Sequence, residues 1–265
     1  MTLAFFPKDL QDILIGFSAR ENTIGRSSSR VFQYQKDEDI FYLKIVPMNE
    51  EIIRERDLLH WLKDKIPVPE VIYWQEYDGY FFLLTTGMKG EMACTFPEEK
   101  VLEPIEATVR KLAEGLLRLQ AVDFSDCPYK NNLEIKLAKA QELIKTNLVD
   151  MDDWEDNNEF SSPQELLDWL ILHQPQEELC FTHGDYCLPN IFLNNTGVSG
   201  FIDWGTGGIA DKWQDIALCV RSLGYNLGDI DKIEKQRYLN ILFTSLGMEP
   251  DWNKIEYYIL LDELF

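Results

Sequence analysis

The hydrophobic periodicity of this chain changes near Gly87-Met88-Lys89-Gly90. Before that point the sequence reads mainly as strands. Ile40 to Val46 is rich in β-branched and aromatic residues, with Asp39 before it and Pro47 after it. Val71 to Trp74 and Tyr80 to Thr85 read as a hairpin turning at Asp78-Gly79. One helix interrupts them, Glu50 to Lys63, with Ile52, Leu59 and Leu62 on one stripe and Pro67 and Pro69 as its stop. After Gly90 the pattern turns helical, with helices predicted over Pro104 to Ala121, Leu133 to Thr146, Asp211 to Leu223 and Trp252 to Phe265. Two short strands, Asn190 to Leu193 and Ser199 to Ile202, sit within this part, joined by Asn194-Asn195-Thr196-Gly197. The expected architecture is α+β and two-lobed. Residues 1–86 form a small β-rich lobe, 87–90 a hinge and 91–265 a larger, mainly helical lobe, and ligands commonly bind in a crevice between such lobes.

The segment with the most chemistry runs from Thr182 to Asn190, with Ile202-Asp203-Trp204-Gly205 downstream of it. Phosphoryl transfer needs an acceptor for a hydroxyl proton and oxygen ligands for Mg²⁺ on the phosphates. Asp185 suits the first role, and Asn190 and Asp203 suit the second. The spacing H-x-D-x-x-x-x-N followed by D-x-G is the protein-kinase pattern, with Gly184 in place of its arginine. Either half alone reads as a polar turn; the two together, in this order, point to catalysis. Lys44 closes the strand Phe41 to Lys44. Glu55 falls on the apolar stripe of its helix, where a buried carboxylate needs a partner, and Lys44 is the candidate. Ile24 to Val31 carries one glycine and three serines, and Ser27 and Ser28 can present amides and hydroxyls to phosphate.

Charge narrows the partners. The 46 acidic and 25 basic residues give a formal charge of -21, which repels phosphate backbones and excludes nucleic acid as an expected partner. The five cysteines are scattered without a C-x-x-C pair, so neither a disulfide framework nor a zinc site is expected. No stretch approaches a membrane span, and the first residues lack a secretory leader, so a cytoplasmic location is expected.

With these residues in hand, the chain resembles the aminoglycoside phosphotransferases, specifically the 3′-phosphotransferases or kanamycin kinases. The resemblance rests on Tyr42-Leu43-Lys44, Arg54-Glu55, Pro67-Val68-Pro69, the run HGDYCLPN from His183, Gly200 to Asp203, Ala210 to Trp213, and the tail Tyr257 to Phe265 with its terminal LLDELF. It implies a protein-kinase-like fold, ATP as donor with GTP as the alternative, and Mg²⁺. It implies Asp185 as base, Asn190 and Asp203 as metal ligands, and Lys44 with Glu55 on the phosphates. Tyr42 is implied to stack on the adenine, the backbone of Thr86 and Met88 to bond its edge, and Ser27 to cover the phosphates. A polycationic drug is implied to meet an acidic segment containing Asp152, Asp153 and Glu155, together with Asp262, Glu263 and the Phe265 carboxylate. Two positions depart from common family patterns, Thr206 and Tyr225. No obligate protein partner is implied. A kinase of another small cationic alcohol or amino sugar, and a nucleotide-binding pseudokinase, stand as alternatives.

Overall fold

The computed structural model describes residues 6–22, 30–95, 102–149, 151 and 160–265. The chain divides into two compact units. The first is Met1–Lys89 with Gly200–Gly205, and the second is Gly90–Ser199 with Thr206–Phe265.

The first unit is built on a five-stranded antiparallel sheet. Its strands are β1 (Ser18–Asn22), β2 (Arg30–Lys36), β3 (Asp39–Pro47), β4 (Val71–Tyr77) and β5 (Tyr80–Thr86), in the spatial order β1-β2-β3-β5-β4. The β4–β5 turn has both Asp78 and Gly79 at positive φ, 52° and 78°, the twist that a two-residue hairpin requires. Alternation along the strands assigns two faces. Leu43, Ile45, Phe82 and Leu84 pack with Phe32 and Tyr34 against Phe6, Leu10 and Leu14 around the short helix α1 (Lys8–Ile13). Phe81 and Leu83, the intervening residues of β5, are buried as well. Lys44 shares their alternation and comes to a side chain of α2 (Glu50–Leu62).

α2 starts at Asn49, whose Oδ1 accepts the Ile52 N–H at 3.0 Å. It stops before the expected prolines. Lys63 leaves the helical region with ψ 130°, and Asp64 is left-handed at φ 69°. The Ile66 N–H still reaches the Leu62 carbonyl at 3.2 Å, so the chain turns before Pro67 constrains it. The Pro67 carbonyl instead accepts the Phe201 N–H at 3.1 Å, which docks the returning segment 200–205 on this unit.

The second unit is mainly helical. α3 (Leu102–Gln120) buries Ile105, Val109, Leu112, Ala113, Leu116 and Leu119, a helical stripe. α4 (Leu133–Thr146), α5 (Pro163–Leu172), α6 (Lys212–Leu227), α7 (Lys232–Leu246) and α8 (Trp252–Asp262) complete the helices among the described residues. α3 packs on α7, and α6 on α8. Two small sheets accompany them: β6 (Glu91–Met92) with β8 (Ile191–Asn194) and β9 (Gly197–Phe201), and β7 (Leu179–Thr182) with β10 (Gly208–Asp211).

Several boundaries differ from expectation for local reasons. Leu188–Asn190 is one 3₁₀ turn, so β8 begins at Ile191. Asn194 Oδ1 accepts the N–H groups of Thr196 and Gly197, at 2.8 and 3.1 Å, and β9 therefore begins at Gly197. It ends at Phe201, before Asp203, which is left-handed at φ 64°. α6 runs through Gly224 to Leu227, placing Tyr225 in its last turn with an exposed side chain. α8 ends at Asp262, short of the chain terminus. No helix among the described residues is long and apolar enough to cross a membrane.

Candidate active site

In the first unit, one lysine meets two acids. Lys44 Nζ lies 2.9 Å from Glu55 Oε2 and 3.0 Å from Asp203 Oδ1. The period-2 alternation of β3 turns Lys44 to α2, and the helical stripe that buries Ile52, Leu59 and Leu62 also buries Glu55, which is 8% exposed. Burial works against the Lys44 charge, yet the two carboxylates outweigh it and hold the ammonium above its ordinary range. Burial raises the carboxyl of Glu55, and Lys44 opposes that shift. Asp203 keeps a side chain 51% exposed, with room for another partner. Tyr42 is half-buried on the same strand, beside Gly87, whose N–H bonds the Ile40 carbonyl at 2.7 Å. The Thr86 N–H is donated to the Glu70 carbonyl at 2.9 Å. The side chain of Met88 fills the space over Gly200, where a Cβ would fall 2.1 Å from its Cε.

In the second unit, the loop His183 to Asn190 is held from beneath by α6. Asp215 accepts two backbone N–H groups, from His183 at 2.7 Å and Gly184 at 2.9 Å. Gln214 Nε2 donates to the Gly184 carbonyl at 3.1 Å, and Ser222 Oγ accepts the Leu188 N–H at 3.0 Å. Tyr186 buries its ring and donates its hydroxyl to the Leu112 carbonyl of α3 at 2.8 Å. The loop presents Asp185 with Asn190. Asn190 Nδ2 donates to Asp185 Oδ2 at 2.8 Å and to the Asp185 carbonyl at 3.1 Å. A carboxylate only accepts, so the amide orientation is fixed, and Asn190 Oδ1 faces away as an acceptor. The Cys187 thiol beside it is pushed well up by burial and by the Asp185 carboxylate.

Asn190 Oδ1 and the exposed carboxylate of Asp203 are hard oxygen donors. Each, on its own unit, is the type of oxygen ligand that a small divalent cation prefers. Among the described residues no cluster of three or more His, Cys, Asp or Glu side chains forms a dedicated metal cage.

The tail carries its acids in a paired state. Arg221 of α6 meets Asp262 at 2.5 Å and Glu263 at 3.8 Å, and the Glu263 side chain is 6% exposed. Burial opposes the Arg221 charge, but Asp262 and Glu263 hold it above its ordinary range. Leu261 and Leu264 anchor the tail in the core. Ser27, Asp152, Asp153 and Glu155 lie outside the described residues.

Comparison with known proteins decides the family. The model of the phosphotransferase enzyme family matches residues 18–256. The chain belongs to this family. An aminoglycoside 3′-phosphotransferase of Enterococcus faecalis is 38% identical over 264 residues, which cover 97% of this chain and 97% of that one. Among solved structures, an aminoglycoside 3′-phosphotransferase of type VIII superposes with a TM-score of 0.80 at 26% identity, covering 93% of this chain and 94% of that chain. A Streptomyces rimosus aminoglycoside phosphotransferase in complex with ADP and streptomycin gives 0.79 at 27% identity, covering 93% and 92%. The chain is thus a phosphotransferase with the protein-kinase-like fold.

Sequence reasoning missed Asp215, Arg221 as the partner of the tail, and the closeness of the Cys187 thiol to the Asp185 carboxylate. A signal existed for the first: Asp215 stands beside the apolar run Ile216-Ala217-Leu218, the same kind of anomaly that drew attention to Glu55. The others depend on contacts that leave no periodic pattern.

Proposed function

We propose that this phosphotransferase carries the γ-phosphoryl group of ATP to the 3′-hydroxyl of a kanamycin- or neomycin-type aminoglycoside, and so protects a cytoplasm from the drug. The observation that carries the reading is the loop geometry: a carboxylate fixed by Asn190 on a loop whose backbone is bonded to Asp215. In this reading Asp185 accepts the proton of the substrate hydroxyl as its oxygen attacks the γ-phosphorus. The bond from that phosphorus to the β–γ bridging oxygen breaks, and ADP leaves with its electron pair. Lys44, held by Glu55, binds phosphate oxygens with a charge-assisted hydrogen bond. Asn190 Oδ1 and Asp203 would hold magnesium, which neutralises charge on the phosphates. Tyr42, Thr86 and Met88 take the adenine, with Ser27 over the phosphates.

The substrate's amino groups are assigned to the acids of the tail, Asp262 and Glu263, with the Phe265 carboxylate and the segment containing Asp152, Asp153 and Glu155. Because Arg221 already pairs with Asp262 and Glu263, an incoming ammonium shares these carboxylates with a guanidinium rather than meeting bare acids. The test is ADP release coupled to a reporter, with kanamycin and lividomycin as acceptors and NMR mapping of the product. Kanamycin phosphorylated at its 3′-oxygen, with lividomycin (which lacks that hydroxyl) inert there, is the expected result. ADP release that ignores both drugs but responds to a simple amino alcohol would replace the substrate assignment.

A further inference from the structure

Outside the site already described, α4 carries a lysine where a helix of this kind would carry an apolar residue. Lys136 stands among the buried Leu133, Leu137 and Ala140 and is itself only 7% exposed. Among the described residues no carboxylate comes within ion-pairing distance of its ammonium. A buried cation without a contacting anion needs some other stabilising group. The structure supplies an aromatic face: Lys136 Nζ is 5.0 Å from the centroid of the Phe265 ring. Lys139, one turn on and on the same side of α4, places its ammonium 5.5 Å from that ring. Both are within the range at which the ring quadrupole attracts a cation. Burial lowers the proton affinity of Lys136, while Asp262, Asp215 and Asp185 nearby act to keep it charged.

Phe265 lies just beyond α8 and follows the buried Leu264. α8 has ended at Asp262, and the final turn is closed by the Phe265 N–H on the Asp262 carbonyl at 3.2 Å. We propose that Lys136 and Lys139 clamp the segment after α8 through the Phe265 ring, and that Lys136 is a positioning residue for the tail acids Asp262 and Glu263. The link to substrate rests on the function proposed above; the clamp itself does not.

Carboxypeptidase A, which releases a C-terminal aromatic residue once it is accessible, tests the clamp on the folded 265-residue chain without substrate. Loss of a cation over a ring that ranges from half-wet to dry corresponds to a factor of about three to thirty. Lys136→Met is expected to release Phe265 faster by about that factor, while Lys136→Arg, which keeps the charge, stays near wild type. Lys139 is exposed, so Lys139→Met folds even if Lys136→Met does not, and its release is expected to rise about two- to fivefold. In the activity arm, Lys136→Met is expected to raise KM for kanamycin several-fold with KM for ATP unchanged. Release no faster than wild type in the single lysine variants overturns the clamp. Unchanged KM for kanamycin with faster release overturns the positioning role. A wild-type enzyme inert toward kanamycin overturns the substrate reading alone and leaves the carboxypeptidase rates to decide the clamp.

Discussion

Replacing Gly184 by alanine tests whether the loop that carries the proposed base is as tightly framed as its contacts indicate. A Cβ at this position would lie 2.1 Å from the Thr206 carbonyl oxygen and 2.6 Å from its carbon. Both are backbone atoms, and that oxygen is tied to Asn131 Nδ2 at 2.7 Å, so it cannot simply swing away. Restoring an ordinary contact of roughly 3.5 Å requires a shift of at least about 1 Å. Gly184 also has φ +85°, a conformation that costs an L-residue about 1–2 kcal/mol. Relieving the overlap adds about 1–3 kcal/mol. The total, about 2–5 kcal/mol, corresponds to a fall in Tm of roughly 4–10 °C for a protein of this size. The neighbouring residue is Asp185, the proposed base, and a displacement of about 1 Å at a reacting group costs on the order of 10²-fold in rate. Calorimetry and steady-state kinetics on Gly184→Ala read the two effects separately. Gly224→Ala is the control. Gly224 is in the interior of α6 with nothing within 4 Å of its Cβ position, so alanine there is expected to stabilise by about 0.5–1 kcal/mol. A Gly184→Ala enzyme with wild-type Tm and kcat would refute the framing argument outright.

Three further outcomes follow from particular contacts. Asp185→Asn is expected to lower kcat by about 10²–10⁴-fold while leaving ATP affinity by calorimetry unchanged; near-normal turnover would remove Asp185 from the role of base. Tyr258→Phe deletes a buried 2.8 Å hydrogen bond to Asp211, a carboxylate that is itself fully buried, and should cost about 1.5–3 kcal/mol in urea titrations. Glu178 is held down to about 2 from its ordinary 4.5 by hydrogen bonds from Lys212 and Trp213. A depressed acid lends stability above its unfolded pKa and loses it as pH falls toward the folded value. Wild-type Tm should therefore drop more steeply than that of Glu178→Gln between pH 4.5 and about 2, and parallel curves would contradict the pairing.

Legibility in the sequence followed the range of the interaction. β3, the β4–β5 hairpin and α4 were readable because their signals are local: alternation, an Asp-Gly turn and helical spacing. β1 was not, since Ser18-Ala19-Arg20-Glu21-Asn22 holds a single apolar residue and becomes a strand by pairing with β2. α7 was missed because Lys, Glu, Gln, Arg and Asn dilute its apolar stripe, and its place comes from packing on α3. Glu55 was legible as an acid in an apolar stripe. The pairing of Asp262 with Arg221 was not legible, because a contact spanning 41 residues leaves no periodic trace.

The interleaving of the two units bears on how the protein is made. Residues 200–205 complete the N-terminal unit, yet they are synthesised only after most of the second unit's first stretch has left the ribosome. At roughly 5–20 residues per second, Asp203 trails Lys89 by about 5–25 seconds. During that interval the sheet can form, but Lys44 has only Glu55 for company, and the Pro67 carbonyl waits for Phe201. The N-terminal part is thus a nascent domain whose final edge arrives late. A ribosome stalled near residue 195 would hold it one ion pair and one docking segment short of native.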